Sequence, residues 1–342
     1  MKKILFILAA VSFCCLFSSC HSKKSEKDTF VLDTNSLKSL DKAIQLNPND
    51  AELYYLRASF YYDHKKIDEA QADILKAIKL KDNVAKYYVC LSDVNFAQRQ
   101  TDSAEENLEK ALSLDNNYNE ARLKLAELLY FQKQYDRCMK VVDEASKQNS
   151  HNPTAYLIKS FCYKDLGDTA NYLRMLYLVK DQNPNEVKAH LELGYFYQQR
   201  NDVVAIDHYK NALSVDPKNA EVHYNLAQCY MQFGDVEQAK MQYHQLLSVA
   251  STGQYVFNAL YNLGYISAAY DNDGAQAVKF FSKAVELNPA FVEAFAARGE
   301  VYEQLGQYEL ARADYQQCLS ISANYDKAVQ GLNALDKKAK TK

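Results

Sequence analysis

The chain has 342 residues, of which 24% are charged and 48% hydrophobic, with nine Gly, five Pro and a formal charge of −3. That apolar content excludes a wholly disordered chain. The length exceeds the ~250–300 residues at which one core stops growing, so either two domains or a repeat array is expected. So few Gly and Pro exclude an all-β protein of many tight turns, and the near-neutral charge leaves no footprint for nucleic acid.

The chain opens on Lys2 and Lys3 and then an apolar run over residues 4–17. That run falls short of the ~20 residues a bilayer span requires but suits a signal-peptide core. It ends in Leu16, Phe17, Ser18, Ser19 and Cys20, which resembles the lipobox cleaved by bacterial lipoprotein signal peptidase, with Phe17 where Leu is commoner. The resemblance implies that residues 1–19 are removed and that the Cys20 thiol carries the lipid. Losing Lys2 and Lys3 takes the formal charge from −3 to −5. Residues 20–32 then form a lipidated cysteine and a polar tether reaching roughly 40 Å when extended. His21 rather than Asp follows Cys20, and the tether has no acidic cluster. By the same resemblance the expected address is the cell envelope, at the outer membrane and facing the periplasm.

From residue 33 to residue 340 the sequence repeats. One small-residue column runs Ala43, Ala77, Ala111, Ala145, Val179, Ala212, Leu246, Ala284 and Cys318, with gaps of 34 residues except one of 33 and one of 38. A second runs Ser36, Ala70, Ala104, Cys138, Tyr172, Ala205, Ala239, Ala277 and Ala311. A third runs Ala58, Ser92, Ala126, Ser160, Gly194, Ala227, Gly264 and Gly299. Large residues keep the same phase, as in Ile74, Leu108, Val142, Leu176, Tyr209, Tyr243, Phe281 and Tyr315. Pro48, Pro184, Pro217 and Pro289 sit between repeats, where they stop a helix.

This period and pattern resemble the tetratricopeptide repeat (TPR), a helix–turn–helix unit too small to bury its own apolar face. The resemblance implies an all-α fold, a right-handed superhelical solenoid of eight full repeats beginning near Ala51, Ala85, Asn119, Pro153, Val187, Ala220, Phe257 and Val292. Residues 34–46 supply an N-terminal half repeat. Residues 326–340 supply a capping helix with Ala328, Val329, Leu332 and Leu335 as its apolar face. Repeat five is one residue short in its turn, three residues are gained near Ser251 and one more near Asp271. Ser146, Gln148, Lys180 and Gln182 replace apolar residues, so the stack is expected to be weakest around residues 140–185.

In this family the first helices line an inner groove that holds partner segments. Projected onto this sequence, the groove carries the aromatics Tyr55, Tyr62, Phe96, Tyr130, Phe131, Phe161, Tyr195, Tyr224, Tyr261 and Tyr265, beside ten acids and the lysines Lys86, Lys164 and Lys188. Aromatics supply contact area at low entropic cost. The family's clamp for a C-terminal carboxylate is missing, since its positions hold Tyr55, Ser59, Val89 and Asp93. A basic or apolar segment of another envelope protein is the expected partner, with no nucleic acid.

No catalytic motif appears, and no cofactor or metal is expected. His190 and His223 read as partly buried structural histidines, and Asp271, Asn272, Asp273 and Gly274 as a polar turn. Cys90, Cys138, Cys162, Cys229 and Cys318 read as scattered buried thiols. The expected function is a membrane-tethered scaffold of the envelope, not an enzyme. The alternative is a lipoprotein that captures a glycan or peptide.

Overall fold

Among the described residues every regular element is an α-helix. The structure, a computed structural model, describes residues 32–148 and 152–340. The expected signal peptide, the expected lipobox with Cys20 and all but the last residue of the expected tether lie outside the described residues. The chain divides into two compact units, residues 1–82 and 83–342.

The first unit holds α1 (Leu37–Leu46), α2 (Ala51–Asp63) and α3 (Ile67–Leu80). The second holds seven helix pairs and an end helix. The pairs are α4 (Ala85–Ala97) with α5 (Thr101–Leu114), α6 (Asn119–Phe131) with α7 (Tyr135–Gln148), and α8 (Pro153–Asp165) with α9 (Thr169–Gln182). They continue with α10 (Val187–Gln198) and α11 (Val204–Val215), then α12 (Ala220–Gln232) and α13 (Val236–Val249). Last come α14 (Gln254–Ala269) with α15 (Gly274–Leu287), α16 (Val292–Gln304) with α17 (Tyr308–Ile321), and α18 (Asp326–Lys340). Each helix packs on the next in chain order within its unit, as a solenoid of stacked pairs requires.

The first helices begin where the sequence period places them, with one exception. The three residues gained near Ser251 lengthen α14 backwards, so it starts at Gln254 rather than Phe257. The expected short turn of repeat five is corrected here: residues 199–203 form a longer turn than the three residues usual elsewhere. The missing length comes from the helices, α10 with 12 residues where most first helices have 13 and α11 with 12 where other second helices have 14.

The small columns are where helices cross. The large residues of the second helices, from Ile74 to Tyr315, are all buried. Each contributes about 1.5–3 kcal/mol of burial. A Cβ added to Gly194 would stand 2.6 Å from the Tyr209 ring; on Gly264 it would meet Phe281 at 2.7 Å, and on Gly299 it would meet Tyr315 at 2.8 Å. Only hydrogen at the crossing admits those rings. Gly331 of α18 presses on the other side of Tyr315, where a Cβ would fall 2.4 Å from the ring. The apolar face expected of α18 is corrected here. Val329 is 39% exposed, and Gly331 takes its place in the contact, beside buried Ala328 and Leu335.

Every turn inside a repeat contains one left-handed residue: Lys65, Arg99, Lys133, Gly167, Asn201, Gly234, Asn272 or Gly306. In seven of these turns the following amide bonds back five residues, as Gln134 N–H does to Leu129 O at 2.8 Å and Gln307 N–H to Tyr302 O at 2.8 Å, while Asp273 N–H after Asn272 reaches back six, to Ser267 O at 2.8 Å. This is the Schellman closure that satisfies the last carbonyls of a helix. In the Asp271–Gly274 turn, the Asp273 carboxylate accepts from Gln276 N–H at 2.9 Å and so caps α15.

Between repeats a side chain of the first helix ties down the incoming loop. Tyr54 Oη–H donates to Pro48 O, Arg122 Nη2–H to Asn116 O, and His190 and His223 bond Pro184 O and Pro217 O at 3.0 Å. Both histidines are buried. They hold the loop as structural groups.

Candidate functional site

The first helices of the second unit share one face, and side chains touch from helix to helix along it. The Asp93 carboxylate of α4 accepts from Lys124 Nζ of α6 at 2.8 and 2.9 Å. Phe96 meets Phe131 edge to face at 5.4 Å, and Tyr130 meets Phe161 of α8 at 5.9 Å. The Lys188 ammonium of α10 lies 5.9 Å from the Phe161 ring, and that of Lys164 lies 5.5 Å from the Tyr195 ring. The structure thus joins Phe96, Tyr130, Phe131, Phe161 and Tyr195 into one ladder over α4, α6, α8 and α10.

Glu192 is the centre of the ladder. It is 9% exposed, Lys164 reaches its Oε2 at 2.5 Å, Tyr172 Oη–H donates to the same oxygen at 3.0 Å, and Lys188 stands 3.7 Å from Oε1. Burial, with the Glu192 charge beside it, pushes the Tyr172 hydroxyl far above its ordinary range. Glu192 and Lys124 are absent from the groove read in the sequence. Their signal was present, because polar residues stand there at a first-helix position that holds Leu56, Cys90 and Ile158 in other repeats.

The remaining aromatics sort by exposure. Phe131 is 52% exposed, Tyr195 47% and Tyr265 49%, enough for a partner to reach them. Tyr224 and Tyr261 are half-buried against the core of their repeats. Tyr224 lies between Tyr243 and Tyr255, and Tyr261 between Phe281 and Phe291, at ring distances of 5.2–6.1 Å. Tyr265 lies 6.2 Å from Tyr270 in its own repeat. In the first unit, Tyr55 and Tyr62 are half-buried on α2.

The acids of the face are partly tied. Tyr135 Oη–H donates to Asp165 at 3.1 Å, Lys338 reaches Glu303 at 2.8 Å, and Lys327 stands 3.7 Å from Glu300. Burial raises the Glu127 carboxyl above its ordinary value, against Lys124, which lowers it. Among the described residues no three His, Cys, Asp or Glu side chains gather as metal ligands would, and no helix is long and apolar enough to cross a membrane.

The five thiols are all buried. They are not all scattered, however. Cys138 and Cys162 touch at 3.4 Å between their sulfurs, which corrects the expectation of five isolated thiols.

Helix pairs of 34 residues, the small-residue crossings and the closed turns define a repeat solenoid. The tetratricopeptide repeat family matches residues 95–160 and 203–255, residues 292–325 and residues 39–72. These stretches cover more than half of the chain, which belongs to the tetratricopeptide-repeat proteins. Among solved structures it is similar to the C-terminal part of a TPR repeat-containing protein from Cytophaga hutchinsonii. That pair is 16% identical, with 71% of this chain and 98% of the other covered and a TM-score of 0.55. It is also similar to the human IFIT1 dimer with m7Gppp-AAAA, at 16% identity, coverage of 84% and 77%, and a TM-score of 0.51. At such identities the likeness is one of fold. The UDP-N-acetylglucosamine–peptide N-acetylglucosaminyltransferase of Giardia intestinalis is 37% identical over 65 residues, 19% of this chain. The general transcriptional corepressor ssn6 of Schizosaccharomyces pombe is 24% identical over 147 residues, 43% of this chain. The matches span 4% and 10% of those two relatives' own lengths.

Proposed function

We propose that this chain is a lipid-anchored scaffold of the bacterial cell envelope. It would hold a basic or apolar segment of a partner protein against the face built by α4, α6, α8 and α10, and it would have no catalytic role. The observation that carries the reading is the ladder itself. Phe131 and Tyr195 stand half exposed on it while their neighbours are fixed by ring contacts and by the Lys164–Glu192–Lys188 cluster. Rigid aromatics beside fixed charge are what a binding hot spot requires. The ten acids against three lysines read along the whole groove favour a cationic partner over an anionic one. The anchor and the outer-membrane, periplasm-facing address rest on Leu16, Phe17, Ser18, Ser19 and Cys20 and on the residues just after them.

Photocrosslinking in living cells, with the probe at Tyr195 and then at Phe131, tests the scaffold. One dominant protein adduct supports it and supplies the partner. A glycan adduct, or none in any growth condition, transfers the reading to ligand capture. Replacing Cys20→Ala tests the anchor, since release from the membrane fraction is expected and an unchanged fraction removes it.

A further inference from the structure

Cys138 lies on α7 and Cys162 on α8, 24 residues apart. Both side chains are fully buried, and their sulfurs touch at 3.4 Å. The crossing is a standard one in this chain. The same 24-residue step at the next boundary joins Tyr172 to Phe196, whose rings meet at 6.0 Å. At other boundaries of the second unit the same step leads from Ala104 to Leu128, from Ala205 to Cys229 and from Ala277 to Val301. Only between repeats three and four do both positions hold cysteine. At this boundary alone the two positions carry a pair of thiols in contact, next to the polar substitutions Ser146 and Lys180.

We propose that Cys138 and Cys162 form a disulfide that staples α7 to α8, made by exchange with a disulfide-bonded oxidant such as oxidised glutathione. The sulfurs need approach by only roughly 1.4 Å to reach bonding distance. In the first step one cysteine, as thiolate, attacks a sulfur of the oxidant and forms a mixed disulfide, and one oxidant thiol leaves. The second cysteine, as thiolate, then attacks the sulfur of the first cysteine, so that the Cys138–Cys162 bond forms, the bond to the oxidant sulfur breaks and the other oxidant thiol leaves. Two cysteine thiols are oxidised, one oxidant disulfide is reduced to two thiols, and both cysteine protons end on those thiols or in solvent. The staple spans the boundary beside the polar substitutions Ser146 and Lys180, so its effect is to hold repeats three and four together. It rests neither on the binding face nor on the anchor.

The test uses the full chain, refolded from denaturant in a series of reduced-to-oxidised glutathione ratios so that burial cannot block access. Free thiols are trapped by alkylation, and the digest is read by mass spectrometry. The expected result is one intramolecular link, Cys138 to Cys162, with the other six cysteines, Cys14, Cys15, Cys20, Cys90, Cys229 and Cys318, alkylated. The linked protein should melt several degrees higher than the reduced one, and Cys138→Ala, which restores the residue usual in that column, should remove the difference. Both thiols alkylated across the whole series, or separate glutathione adducts on each, would overturn the proposal. So would a linked protein that melts no higher than the reduced form.

Discussion

Arg298 grips Asp314 with a two-pronged fork, Nε to Oδ2 at 2.8 Å and Nη2 to Oδ1 at 2.7 Å. Its third nitrogen reaches Ser282 Oγ at 2.9 Å, so one guanidinium joins α16 to α17 and to α15. Arg57 repeats the device in the first unit, bidentate to Asp73 at 2.6 and 2.8 Å and bonded to Asp41 at 2.6 Å. In both cases the partners lie 16 residues before and 16 after the arginine. Asp314 is only 5% exposed, and its loss leaves a largely desolvated guanidinium without its counter-charge. Asp314→Ala is therefore expected to cost about 2–3 kcal/mol, below the 3–5 of a wholly buried pair because Arg298 keeps some solvent. Chemical denaturation of the variant checks this, and a loss under about 0.5 kcal/mol would mean that water replaces the carboxylate.

The left-handed turn residues offer a stabilising change. Lys133 adopts φ 62°, a region that costs an L side chain about 1 kcal/mol and costs glycine little. Lys133→Gly should raise stability by about 0.5 kcal/mol, the remainder being lost to the freer unfolded chain. Gly306 at φ 73° predicts the mirror result, since Gly306→Ala should lower stability. Thermal unfolding of the two variants must move in opposite directions.

His208 is buried beside His190, with 3.2 Å between their Nδ1 atoms, and its ring stacks on Tyr197 at 5.6 Å. Burial first, then His190 and Lys180, depress its pKa from 6.5 to about 4, against Asp207, which raises it. The unfolded chain takes up that proton near pH 6.5 and the folded chain only near pH 4. The stabilisation is complete above pH 6.5, falls as pH drops through that window, and levels off below it, a change on the order of 3 kcal/mol. His208→Gln should flatten the profile between pH 6.5 and 4; an unaltered slope would assign the effect to other groups.

Two aromatics of one list should behave differently. Tyr195 is exposed and Tyr261 packs between Phe281 and Phe291. Tyr195→Ala should weaken partner capture at least tenfold while costing under about 1 kcal/mol of stability. Tyr261→Ala should cost about 2–3 kcal/mol of stability instead. Pull-down and thermal melting on the same two variants separate the roles, and a Tyr195→Ala variant that captures the partner normally would remove that residue from the site.

Amide hydrogen exchange should be fastest around residues 140–185, where Ser146 and Lys180 interrupt the apolar columns. Reduced protein is the sample to use, because a Cys138–Cys162 link would slow opening there. Equal protection in all eight repeats would refute the expectation.

The period was fully visible in the sequence because each repeat must present the same small residue to the same crossing, as Gly194, Gly264 and Gly299 do to Tyr209, Phe281 and Tyr315. The left-handed column was hidden. Lys65, Arg99 and Lys133 share it with Gly167, Gly234 and Gly306, and a backbone angle held by a Schellman closure leaves no common residue type. The proposed binding face was readable as a set of positions, and Phe131 and Tyr195 came with it. How far a neighbouring helix covers each aromatic was not legible, so Tyr224 and Tyr261 carried the same signal as Tyr195.

The sequence by itself determined the repeat, its helices, its boundary residues and the face on which a partner is expected, because all of these follow from local periodicity within about 34 residues. Only the tertiary structure decided that Glu192 gathers Lys164, Lys188 and Tyr172, that Gly331 closes on Tyr315 and that Cys138 meets Cys162. Those contacts join different helices, and a one-dimensional pattern records which way a residue faces but not what the next helix brings to meet it.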